Sequence, residues 1–136
     1  MSRATLAGLF WFALACWAAT MLWLSSLTAQ ELPDAAFLAW DKINHFLAYA
    51  VGGWLAAGAL RLSRPSMPVA TRMIGAIVII AIFGVIDEGL QTFTPGRTGG
   101  SVGDWGADVL GAAAGALASI PTHRHLTGLR FKPKVR

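Results

Sequence analysis

Four stretches of this chain are almost wholly apolar, and its polar residues gather between them or at their ends. Residues 5–27 carry no charge over 23 positions. That length crosses a hydrocarbon core of about 30 Å at a helical rise of about 1.5 Å per residue. Residues 43–60 contain no Asp, Glu, Lys or Arg, residues 73–86 are uncharged until Asp87 interrupts them, and residues 105–120 run to Pro121. The pattern predicts an all-α integral membrane protein. Its four spanning helices, over about 5–27, 43–60, 73–92 and 104–120, form a single bundle domain with a basic tail at 121–136. The first stretch reads as a helix rather than a cleaved leader. It exceeds the usual apolar run of about 7 to 15 residues, and Leu27-Thr28-Ala29 is a poor cleavage site.

Polar residues at helical spacing then mark particular faces. Residues 73–86 cover only about 21 Å of the core, so Asp87, Glu88 and Gln91 must complete the third crossing within the membrane. Their spacing of three and four places them on one broad face. In the second segment Asp41, His45, Tyr49 and Gly52 form a stripe, with His45 one turn and Tyr49 two turns in from the end. In the fourth, Asp104, Asp108, Gly111 and Gly115 form another. Gly111 and Gly115 make a small-xxx-small pattern that admits a close neighbour, either within the chain or across an oligomer. Lipid is a costly neighbour for such stripes, so they should face one another.

Charge fixes an expected orientation. Hydrophobic residues make up 55% of the 136 positions and charged residues 13%, too apolar a balance for an ordinary soluble domain. Arg3, the cluster Arg61, Arg64 and Arg72, and the tail bases Arg124, Arg130, Lys132, Lys134 and Arg136 place nine of eleven basic residues on one side. By the positive-inside rule that side, with both termini, is cytoplasmic. All seven acids, including Glu31 and Asp34, then fall on the outer side or in the outer ends of the spans. Trp23, Trp40 and Trp105 lie at the same outer boundary, where amphipathic rings favour the interface. The net charge of +4 is thus a consequence of topology. The bases lack the interleaved aromatics of a nucleic-acid surface, so no nucleic-acid partner is expected. His123 and His125 are only a weak metal signal in a solvated tail.

The outer ends hold Asp41, Asp87, Glu88, Asp104 and Asp108 against Lys42 and Arg97, an acid excess of three if His45 is neutral. A protonated carboxyl, an imidazolium, a divalent cation or a cationic ligand group would offset it. Helix capping explains Asp41 and Asp104 equally well, and Ser101 with Asp104 has capping-box spacing. Gln91 and Tyr49 serve equally as interhelical glue. His45, Glu88 and Asp108 need no such role, and they have the residue types for acid and base chemistry. Arg97, beyond the Pro95-Gly96 turn, is suited to pair with the acids or clamp an anionic ligand group. The first segment offers no candidate chemistry.

The series Asp41-Lys42-x-x-His45-Phe46-x-x-Tyr49, then Asp87-Glu88-x-x-Gln91-x-x-x-Pro95-Gly96-Arg97, then Asp104-x-x-x-Asp108-x-x-Gly111 resembles the VanZ-like family of small multispanning bacterial membrane proteins. The resemblance runs from about Trp40 to Ala118. It implies four spans in the bacterial cytoplasmic membrane, and polar motif positions at Asp41, Lys42, His45, Tyr49, Glu88, Gln91, Arg97 and Asp104. The family's namesake is associated with resistance to the lipoglycopeptide teicoplanin. Many members carry Asn where this chain has Asp108, which adds a negative charge.

Two functions follow as expectations. One is an outward-facing pocket for an amphiphilic envelope molecule: a lipid-linked precursor, a lipid headgroup or a lipoglycopeptide. The candidate catalytic set there is His45, Glu88 and Asp108, and the binding set is Asp41, Lys42, Tyr49, Asp87, Gln91, Arg97 and Asp104. The other is a non-catalytic accessory or scaffold protein whose polar residues hold the helices together. No serine or cysteine sits in an activating motif and no His-Glu-x-x-His occurs, so whether a reaction is catalysed stays open. A transporter is disfavoured, because the inner halves of the spans carry no ionisable residue to continue a path.

Overall fold

The computed structural model describes residues 1–31 and 41–128, and the side chains of Asp41 and of residues 123–128 lie outside what it describes. Asp34, Trp40 and the tail bases Arg130, Lys132, Lys134 and Arg136 also lie outside the described residues, as do the side chains of His123, Arg124 and His125. The described residues form four α-helices and no strand: α1 (Arg3–Ser26), α2 (Asp41–Ser63), α3 (Val69–Thr92) and α4 (Val102–Gly128).

Three of the helices are long and apolar enough to cross a membrane, over Arg3–Ser26, Lys42–Ser63 and Val69–Thr92. This is one fewer than the four expected spans. Although α4 has the length, at 27 residues, its alanines and glycines carry little apolar surface each. It also continues through Pro121, where the sequence placed its end. Proline removes one N–H and so one helical bond, while the Thr122 hydroxyl donates to the Ala118 carbonyl in that turn at 3.0 Å.

The helices are inverted relative to a soluble protein. On α3 the buried face includes Met73, Ala76, Ile80, Gly84, Asp87, Glu88 and Gln91. Its outer face exposes Ile74, Val78, Ile82, Val85 and Ile86 at helical spacing. Leu9, Phe12, Leu47, Val51, Leu110 and Leu117 extend this apolar exterior over the other helices. Water would penalise so large a contiguous apolar surface, whereas hydrocarbon matches it.

Small residues set the spacing inside. The core gathers Leu14, Tyr49, Ala56, Ala57, Met73, Ala76, Ile80, Ala112 and Ala116. Between α2 and α4 there is no room for side chains at three glycines. A Cβ at Gly111 would meet the Phe46 carbonyl, one at Gly115 the Ala50 carbonyl, and one at Gly53 the Ala112 carbonyl. Of the two packings the glycine pattern leaves open, this is the one within the chain.

Contacts at the two ends show that successive helices alternate in direction. Ser25 at the end of α1 meets Gln91 at the end of α3, and Lys42 at the start of α2 meets Asp104 at the start of α4. At the opposite end Trp11 of α1 donates to Ser63 of α2 at 2.9 Å, and Trp54 of α2 to Thr122 of α4 at 2.9 Å. Beyond α1, Glu31 accepts from the Thr28 N–H and hydroxyl, each at 2.8 Å. Those bonds hold its carboxyl below the usual range.

Candidate functional site

The polar site lies where the start of α2, the end of α3 and the start of α4 converge, and its members are held by bonds between helices. Asp108 is fully buried and His45 nearly so, with His45 Nδ1 2.8 Å from Asp108 Oδ1. The Tyr49 hydroxyl donates to Asp87 Oδ2 at 3.0 Å, from a residue that is 1% exposed. Its ring stacks with that of His45 at 6.1 Å and meets Trp17 of α1 edge-on at 5.4 Å. Trp17 lies against Gly52 and donates to the Ala48 carbonyl at 3.0 Å, which fixes it against the stripe that carries His45 and Tyr49.

Glu88 completes an unusual helix cap. Ser101 caps α4 by accepting from the Asp104 N–H at 3.2 Å, as the capping-box spacing anticipates. In a closed box the third residue would reach back to the N–H of the capping serine. Here Glu88 Oε2 from α3 takes that Ser101 N–H at 2.8 Å, and Asp104 instead accepts from Lys42 Nζ at 2.7 Å. The helix start is thereby tied to both neighbours. Lys42 is largely exposed and Asp104 buried, so the pair sits at the mouth.

Gln91 uses both ends of its amide. It donates to Ser25 Oγ at 3.2 Å and to Asp87 Oδ2 at 3.4 Å, and its oxygen accepts from Arg97 Nη2 at 3.0 Å. Arg97 therefore meets an amide rather than one of the buried acids, and it stays half-buried at the rim. Asp41 begins α2 at the same end, but its side chain lies outside the described residues. The loop over the site depends on glycine. Gly96 and Gly100 adopt a φ of +74°, and a Cβ at Gly99 would strike the Thr92 backbone.

Two contributors carry no signal in the sequence. Ser25 lies in the segment expected to hold no chemistry, yet it accepts from Gln91, and its carbonyl accepts from the Thr94 hydroxyl at 2.9 Å. Gly84 is the other. A Cβ there would come within 3.0 Å of Asp108 Oδ2 and 3.4 Å of the Tyr49 ring, so the missing side chain leaves the carboxylate its place.

Among the described residues, three carboxylate oxygens in this cluster are buried with no hydrogen-bond partner: Asp87 Oδ1, Glu88 Oε1 and Asp108 Oδ2. Leaving such an acceptor unsatisfied away from water is expensive. One ligand atom each from His45, Glu88 and Asp108 fall within 4.8 Å of one another. The group combines an imidazole with carboxylates, so it can hold a cation or pass a proton. No family model matches the chain, and no curated protein or solved structure matches it either.

Proposed function

We propose that this chain is an integral membrane protein of the VanZ-like kind, with α4 as its fourth span and both termini on the cytoplasmic side of a bacterial inner membrane. Its polar site then faces outward and engages an amphiphilic envelope molecule such as a lipid-linked precursor, a lipid headgroup or a lipoglycopeptide. The single observation that carries the pocket reading is the trio of orphaned carboxylate oxygens on Asp87, Glu88 and Asp108. A purely structural network would be expected to satisfy its buried acceptors, because each one left open costs about 1 to 3 kcal/mol. Open acceptors suit a ligand that brings donors or positive charge, and they disfavour a bare phosphate. The bilayer presents an amphiphile at the depth where Lys42, Arg97 and the glycine loop border the site. His45 with Asp108 has the make-up of an acid–base pair, should the bound molecule react.

A second reading, a non-catalytic accessory protein, draws on the bonds themselves. Lys42–Asp104, Tyr49–Asp87 and Gln91–Ser25 together join all four helices. The readings part at Glu88→Gln, which retains an oxygen for the Ser101 N–H but removes the charge. Titration of lipid-linked precursors and of teicoplanin into detergent-purified protein should give saturable binding that Glu88→Gln weakens at least tenfold. No binding to wild type, or equal binding to both, would favour the accessory role.

A further inference from the structure

We propose that His45, Glu88 and Asp108 form a site for one divalent metal ion of the borderline class, Zn²⁺ foremost. This deepens the pocket reading and rests on it.

Charge balance is the first argument. Asp87, Glu88 and Asp108 are each at most 5% exposed. Lys42 is engaged with Asp104 and Arg97 with Gln91, and His45 Nδ1 lies at Asp108. Three carboxylates beside a neutral imidazole, the form that ligates a metal, carry a formal three negative charges in a low-dielectric interior, where like charges are costly. One divalent ion offsets two of them.

Donor geometry is the second. Glu88 Oε1 and Asp108 Oδ2 are buried and without partners among the described residues; Glu88 Oε2 is anchored by the Ser101 N–H, and His45 Nδ1, 2.8 Å from Asp108 Oδ1, would exchange that contact for the metal. Anchoring of this kind orients a carboxylate for a metal. Metal–ligand bonds of about 2.0 to 2.2 Å place neighbouring donors about 3 to 4 Å apart. One donor atom from each of the three residues lies within 4.8 Å of the others, so side-chain rotations that move them by less than about 1 Å would close the set.

Donor chemistry selects the ion. One imidazole with two carboxylates suits Zn²⁺, with Mn²⁺ next, while Mg²⁺ and Ca²⁺ prefer oxygen alone. Three protein ligands leave a coordination position open, as in sites where the metal holds water or a ligand oxygen. The missing side chain at Gly84 keeps Asp108 Oδ2 clear on one side. With the ion present, a phosphate or carboxylate of an amphiphile would become an acceptable partner of this acidic site.

The test uses full-length protein stripped with chelator, then dialysed with Zn²⁺, Mn²⁺, Mg²⁺ or Ca²⁺ alone and assayed for metal by mass spectrometry. The expected result is one Zn²⁺ per chain, with a saturable rise in thermal stability. Co²⁺ substitution should give visible absorption bands typical of mixed nitrogen and oxygen ligands. Asp108→Asn and Glu88→Gln should each lower affinity at least tenfold, and Ser63→Ala at the opposite end should leave it unchanged. Substoichiometric metal in folded wild type, or equal retention by both site variants, would overturn the proposal. Because no amphiphile is added, metal binding can fail while amphiphile binding stands, and the reverse.

Discussion

At the scale of single residues, two buried polar side chains do most to distinguish this site, and a glycine makes room for one of them. Glu88 spends one oxygen on the start of α4 and leaves the other open. Asp108 does the same with His45. Gly84 faces the open oxygen of Asp108, whereas a Cβ at Gly89 on the same helix would meet nothing within 4 Å. Alanine is favoured over glycine in a helix by about 1 kcal/mol. Gly89→Ala should therefore stabilise the protein by up to about that amount, and Gly84→Ala should gain less or lose, because the carboxylate must move. Unfolding of both variants in detergent checks this, and equal gains would mean that Asp108 is not held against Gly84. His45, Glu88 and Asp108 were legible as candidates because ionisable side chains inside apolar segments are conspicuous. Ser25 and Gly84 were not. A serine and a glycine barely disturb an apolar run, and Ser25 meets Gln91 across 66 positions of chain.

At the scale of elements, the α2–α4 contact is the tightest seam, since Gly53, Gly111 and Gly115 let backbone meet backbone. That seam sets the height at which Asp108 meets His45. Gly111→Leu should force the helices apart and cost about 1 to 3 kcal/mol, the usual penalty for overpacking a well-filled interior. Denaturant titration of the detergent-solubilised variant measures it. A loss below about 0.5 kcal/mol, the scale of an ordinary surface change, would contradict the close approach. The spacing of Gly111 and Gly115 revealed a close-packing face in advance, but not its partner, because a small-residue stripe is the same whether a neighbour belongs to the chain or to another copy. The sequence placed the end of the fourth segment at Pro121, since proline usually stops a helix. The structure carries α4 through Pro121 to Gly128, with the Thr122 hydroxyl donating to the Ala118 carbonyl in that turn.

For the whole molecule, an apolar exterior encloses a polar cluster at one end, and the helices alternate so that four of their termini supply it. The apolar lengths and the polar stripes foretold that convergence, because both follow from helical period and bilayer thickness. They could not foretell which acid binds which partner. Ser101 accepts from Asp104 as its spacing suggests, yet Glu88 takes the serine N–H and leaves Asp104 to Lys42. On the proposed reading, the buried acids are kept for a ligand at the expense of stability. The unfolding free energy of Glu88→Gln against wild type, in detergent with chelator present, decides this. The substituted amide would keep an acceptor for the Ser101 N–H and remove a buried charge, so the variant should be more stable by about 1 to 3 kcal/mol, within the range found on replacing buried charges. A variant less stable than wild type would mean that the carboxylate holds the helices together, and would contradict the claim.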